Sequence, residues 1–375
     1  MNSKPETDPE DLRYHLALTQ APKVGPGIFK AILAYSGSAK TFFTLNKGRA
    51  AKIPRVGEKI LEIQNQSESL LRKADELIDL CEKKGFRILI STDTDFPSRL
   101  KVLEDGPVIL FVQGNCDLNF ERSVGIVGTR SATTYGKSIT RKIVEDLLPY
   151  QPIIVSGLAY GIDIEAHRAA LQVGLPTIAV MGSPLSQIYP AAHRKTAEQL
   201  QETGILMSEY APGSTMMPGN FPARNRIIAG LSDALIVVEA AEKGGALITA
   251  EIAYSYDKDV FAVPGNLQSP FSEGCNQLIR KMKAGIYTGP GDIAEALFWT
   301  KPGEEKIKRP SLDFSNRDEE ETLILQLLLD KGESEIDQIS YQTEIPLGML
   351  SSKLLSLEFE GIVKSLPGKK YKLLI

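Results

Sequence analysis

The residues in this chain best able to do chemistry are glycines and arginines at the ends of apolar runs. The chemistry they suit is the gripping of phosphate rather than its transfer. Gly128-Thr129-Arg130 follows the run 124–127 and opens an amphipathic segment. Glycine lets the backbone approach a phosphate, the N–H groups of a helix start attract the anion, and Arg130 adds a bidentate charged contact. Ser156-Gly157 and Gly161 end another run, with Asp163 placed as an N-terminal cap. His167 falls four residues further along the same predicted helix, within reach of Asp163. No nucleophile or ligand cluster accompanies the pair, so orientation of the helix start is the expected role, with acid–base catalysis the alternative. In Asn220-Phe221-Pro222-Ala223-Arg224-Asn225-Arg226 an aromatic ring is interleaved with two guanidinium groups. That combination stacks bases and holds the phosphates of a single strand. Gly244-Gly245, after the run 235–238, offers further backbone donors.

Two nucleotide motifs fail on spacing. Gly125 and Gly128 are three apart and no third glycine follows in the register of a dinucleotide fingerprint. Gly136-Lys137-Ser138 ends like a Walker A loop, but Ser131 stands where its first glycine belongs. No Asp after a later strand takes an obvious metal-holding role, so ATP hydrolysis is not expected. Tyr189, beyond Gly182-Ser183-Pro184, either stacks on a base or fills the rim of the sheet; both readings stay open.

The elements that position these loops alternate. Apolar runs at 108–112, 124–127, 153–155, 177–181, 205–207, 235–238 and 260–263 are separated by segments of helical spacing, such as Ile139, Ile143, Val144, Leu147 and Leu148. Continuous Val/Ile/Leu runs between amphipathic helices predict a Rossmann-like, doubly wound, mainly parallel α/β sheet, with ligands at the carboxyl ends of its strands. Residues 1–85 read as a helical helix-hairpin-helix or SAM-like domain, its two turns at Val24-Gly25-Pro26-Gly27 and Ile53-Pro54-Arg55-Val56-Gly57. Such turns either contact a phosphate backbone or serve only to pack helices. The core then spans 86–298, a charged, Pro-containing linker 299–317, and a last domain 318–375. Helical patterns near 323–329, 336–341 and 347–360, then a hairpin about Pro367-Gly368, give it the order of a winged helix. Its third helix carries Lys353 beside Glu358 and Glu360, which favours protein contact or packing over DNA reading.

Composition limits the rest. With 375 residues, 42% hydrophobic and 24% charged, the chain is globular and large enough for two or three domains. Its net charge of -4 excludes coating nucleic acid through overall charge, so any such site is a local patch. Cys81, Cys116 and Cys275 share no zinc-site or disulfide spacing, and neither a signal peptide nor a membrane span is apparent. No metal or cofactor is expected, and a reducing cytoplasm fits best.

Taken in order, G-T-R at 128–130, S-G-x-A-x-G-I-D at 156–163, F-P-x-R-N-R-I-I-A-G at 221–230, and the P-G and G-x-N-x-L-I segments at 264–279 resemble the DprA (Smf) family of DNA-processing proteins. The resemblance implies a cytoplasmic homodimer that is not an enzyme. It would bind single-stranded DNA in a basic pocket of the Rossmann-like domain and help load RecA recombinase in natural transformation. By residue, it implies Arg130 as a phosphate clamp shaped by Gly128 and Thr129, with Phe221, Arg224 and Arg226 in the same pocket. Many members carry lysine near the helix after S-G-x-A-x-G-I-D; here His167-Arg168 stands there and Arg168 keeps the charge. Arg130, Arg168, Arg224 and Arg226 are therefore expected to share one groove. Two rivals remain. A nucleoside-monophosphate phosphoribohydrolase would use Gly244, Gly245 and Glu251 in its loop register, although Leu247 and Ile248 replace that loop's Gly and Thr. A nucleotide-sensing module would bind a mononucleotide.

Overall fold

The computed structural model describes residues 8–301, 317–366 and 369–374. The chain divides into two compact units, Met1–Trp299 and Thr300–Ile375. Most of the expected linker, and the Pro367-Gly368 turn, lie outside the described residues.

The first unit is organised by one sheet of nine strands: β1 (Arg87–Ile90), β2 (Ile109–Gly114), β3 (Ser123–Val127), β4 (Ile153–Ser156), β5 (Thr177–Met181), β6 (Ile205–Ser208), β7 (Ala234–Val237), β8 (Asp259–Ala262) and β9 (Gly285–Ile286). Their spatial order is β1-β2-β6-β5-β4-β3-β7-β8-β9. All neighbours from β6 to β9 run parallel, while β2 pairs antiparallel with both β1 and β6. The seven apolar runs become β2 to β8, and the doubly wound, mainly parallel sheet is as expected. Ile88-Leu89-Ile90 adds β1; β9 has only two residues, one of them glycine, and gives no apolar run to read.

Strand order sets the site. From β3 the chain winds outward through β4, β5 and β6, then returns to lay β7 on the other side of β3. The order reverses between β3 and β7, and a crevice opens there at the carboxyl ends. Alternate residues of β3 face opposite layers. Val124 and Ile126 pack with Ile143, Val144, Leu147 and Ala166 from the helices Thr134–Leu147 and Ile162–Val173. Val127 packs with Ile227, Ile228, Ala250 and Ala253 from the helices Asn220–Leu231 and Gly245–Ser255.

The N-terminal helices have no separate core. Leu16, Phe29, Ile32, Phe42 and Leu70 belong to one cluster with Ile90, Phe111, Ala179, Met181 and Leu206 of the sheet. Their boundary near residue 85 is thus one of chain order and not of packing.

The second unit has the expected winged-helix order. Helices Glu319–Lys331, Ile336–Thr343 and Leu347–Phe359 are joined to a small sheet, in which β12 (Lys370–Leu373) lies between β10 (Glu333–Glu335) and β11 (Val363–Leu366). Ile324, Leu328, Ile339, Leu350, Leu354 and Val363 form its core. Lys353 of the third helix is held by Asp318 at 2.5 Å and Glu320 at 3.1 Å, so its charge is already balanced within the unit.

Candidate nucleic-acid interface

The loop after β3 is fastened from β7. Glu239, buried just past the end of β7, accepts hydrogen bonds from the Thr133 N–H (2.9 Å) and hydroxyl (2.5 Å), while its own carbonyl accepts from Thr129 N–H (2.7 Å). Thr133 in turn caps the following helix, accepting from Gly136 N–H at 3.1 Å. These bonds leave Arg130 at the exposed crest of the loop, with no ion pair among the described residues.

The loop after β4 is locked against it. A Cβ on Gly128 would collide with Ile162, and one on Gly161, whose φ is +79°, would meet the Thr129 carbonyl and the Arg130 backbone. Only glycine permits that approach. Ile162 N–H donates to the Thr129 carbonyl at 3.2 Å, joining the two loops directly. Ser156 is wholly buried, and its hydroxyl donates to the Ile126 carbonyl at 2.6 Å, tying β4 to β3.

Arg224 lies beneath these loops. Only 4% exposed, it donates through Nη1 to the carbonyls of Gly157 (2.7 Å) and Val180, and a Cβ on Gly157 would strike its guanidinium. Burial pushes its pKa down and Asp163 opposes the shift. Burial likewise pushes the Asp163 carboxyl up, against Arg224 and the Ala159 N–H. The two charges balance each other in the floor, as burial of an ion demands. His167 is not an acid–base partner of Asp163. It is fully buried and donates from Nδ1 to Thr177 Oγ1 (2.7 Å), because that hydroxyl already donates to the Ile154 carbonyl (2.8 Å). Burial first, then Arg224 and His193, depresses its pKa to about 3, so it is a neutral structural group.

A pocket of about 340 Å3 opens above this floor. Gly128, Thr129 and Arg130 line one wall; Phe221, Arg224 and Asn225 line the second; Lys243, Gly244 and Gly245 line the third. Phe221, Arg224, Asn225 and Ile228 reach it because positions i, i+3, i+4 and i+7 share one helix face. Asn225 Nδ2 donates to the Gly245 carbonyl at 3.2 Å, fixing the glycine turn to that helix. The ring of Phe221 packs against Tyr189 (5.4 Å between centroids) and closes on Gly182, where a Cβ would collide with it. Tyr189 is therefore a rim residue that braces Phe221. Asn220 lies at the edge, its carbonyl accepting from the Tyr210 hydroxyl at 3.3 Å.

The expectation that four arginines share one groove needs correction. Arg226 leaves the pocket face for Glu209, whose two carboxylate oxygens both accept from Nη2, at 2.6 and 2.7 Å. Arg168, in the middle of its helix, turns to Thr196 (3.5 Å) and a separate depression with Gln172, Gln199 and Glu202. Arg224 reaches the pocket only as floor. Sequence reasoning also missed two residues. Glu239 was legible as the lone charge closing an apolar run, and Lys243 as the cation beside the glycine pair.

These features define a Rossmann-like, doubly wound α/β domain with a ligand pocket at its switch point, followed in the chain by a winged helix. The chain belongs to the family of DNA recombination-mediator protein A, whose pattern it matches over residues 87–298, with the DprA winged helix domain matched over 310–369. It is 34% identical to Protein Smf of Synechocystis over 96% of this chain and 98% of that protein. It is 41% identical to the DNA processing protein DprA of Streptococcus pneumoniae over 55% of this chain and 73% of that one. The crystal structure of DprA from Streptococcus pneumoniae superposes with a TM-score of 0.66 at 35% identity, covering 76% of this chain and 97% of that one. A structure of DNA processing protein A from Helicobacter pylori, described for its single-stranded DNA binding mode, gives 0.52 at 31% identity over 57% and 95%.

Proposed function

We propose that the protein binds single-stranded DNA in the pocket at the β3–β7 switch point and takes part in the processing of DNA for recombination. The observation that carries this reading is the open Arg130 facing the same pocket as Phe221 and Lys243. Two uncommitted cations bracketing an aromatic side chain suit a phosphate–base–phosphate unit. Gly128, Thr129, Gly244 and Gly245 bring backbone close to the strand, while Ser156, Gly157, Gly161, Arg224 and Asn225 shape and support the pocket. A relative described for its single-strand binding mode supports the choice of ligand. Delivery of the strand to RecA recombinase, action as a homodimer and use in natural transformation complete the reading, on family membership. The protein acts here by holding and not by catalysis.

The test is a length series. Oligo-dT should bind more tightly as nucleotides are added up to the span of the groove, and AMP should compete only weakly. Equal affinity for AMP and for a long oligomer, or release of free base from AMP, would overturn the proposal in favour of a mononucleotide site.

A further inference from the structure

The pocket leaves one motif without a role, the pair of glycine turns in the N-terminal helices. In the structure they are two copies of one hairpin. Ala21-Pro22-Lys23-Val24-Gly25 and Ile53-Pro54-Arg55-Val56-Gly57 align residue for residue. Ala21 N–H donates to Leu18 O (3.2 Å) as Ile53 N–H does to Ala50 O (3.1 Å), and Val24 N–H donates to Ala21 O (3.3 Å) as Val56 N–H does to Ile53 O (3.1 Å). Both copies place an exposed cation at the same left-handed position, Lys23 at φ 67° and Arg55 at φ 66°. The copies are adjacent, since a Cβ on Gly27 would lie 3.1 Å from Arg55 Nη1.

Charge distinguishes this surface from a packing module. Segments 20–30 and 46–57 contain Lys23, Lys30, Lys47, Arg49, Lys52 and Arg55 and no Asp or Glu, in a chain of net charge -4. Lys30 is committed to the carbonyls of Leu103 (2.5 Å) and Glu104 (3.1 Å). The other five are exposed, and among the described residues Arg55 alone of them forms an ion pair, with Glu104 at 3.8 Å. No large apolar side chain of these segments is exposed, so the patch lacks the apolar face that a membrane surface requires. A rigid pair of equivalent cations, flanked by further cations, suits a ligand that itself repeats equal negative charges on two rails.

We propose that the paired hairpins are a second nucleic-acid site, which holds the phosphate backbone of duplex DNA without reading its sequence. The site shares no residue with the single-strand pocket and goes beyond that reading. It would let one molecule hold a duplex and a single strand together.

The test uses the full chain, with a short blunt duplex and an oligo-dT titrated in parallel by fluorescence anisotropy. Lys23→Glu with Arg55→Glu should weaken duplex binding by about tenfold or more and flatten its log–log salt slope by about two, leaving oligo-dT within about twofold. Lys23→Gln with Arg55→Gln should show a smaller loss in the same direction, and carries the test if the reversed pair unfolds. Arg130→Ala should do the reverse, sparing the duplex. Wild-type duplex affinity in both double variants, an equal loss for both ligands, or no duplex binding by the unmodified protein would overturn the proposal. A negative oligo-dT result would count against the pocket alone, and the duplex comparison would still stand.

Discussion

What an arginine offers a ligand depends on what its planar fork already holds. Among the described residues Arg130 holds nothing charged, Arg226 is paired with Glu209 through Nη2, and Arg224 is spent on the Gly157 and Val180 carbonyls. Arg168→Ala should therefore leave oligo-dT affinity within about twofold, measured by anisotropy. Arg224→Ala should act on the fold instead, costing about 3 kcal/mol in denaturant unfolding because Asp163 loses its buried counter-charge. His167 adds a pH dependence of known sign. Its native pKa, about 3, lies below the ordinary 6.5, so the unfolded chain takes up a proton between those values and the folded chain does not. Its contribution to stability is full above about pH 6.5 and is lost as pH falls toward 3. Asp163, raised by burial, works in the opposite sense. His167→Gln should flatten the fall in melting temperature between pH 7 and pH 5, about the middle of that window; an unchanged slope would assign the effect to another group.

At the scale of elements, the pocket exists because β7 returns beside β3 and Glu239 fastens the loop of one to the end of the other. Glu239→Ala leaves the Thr133 donors unmet and frees the Arg130 loop. It should lower stability by about 1–3 kcal/mol and weaken oligo-dT binding together, whereas Arg130→Ala should affect only binding. Much of this was legible in sequence. Strands covered on both faces are continuous apolar runs, so β2 to β8 could be read directly, and glycines at their ends marked the loops. The direction of side chains was only partly legible. Arg224 and Arg226 are two apart on a helix and cannot face one pocket, which helical geometry alone forbids. Arg168 gave no such signal, because its neighbour Thr196 arrives from a helix distant in sequence. Nor could the runs show that the N-terminal helices complete the cover over β1, β2, β5 and β6, since that core is assembled from residues more than a hundred positions apart.

At the scale of the molecule, cations are local while the whole is acidic, with net charge -4. Binding must then come from a few placed charges, and its salt dependence should count them. The winged helix adds little to that count through its third helix, where Lys353 is already held by Asp318 and Glu320. The measurement that tests the central claim most directly is an oligo-dT titration of the unmodified protein and Arg130→Ala at several salt concentrations. The account predicts that Arg130→Ala binds about tenfold or more weakly and that its log–log salt slope is shallower by about one. Unchanged affinity and slope in Arg130→Ala would contradict it.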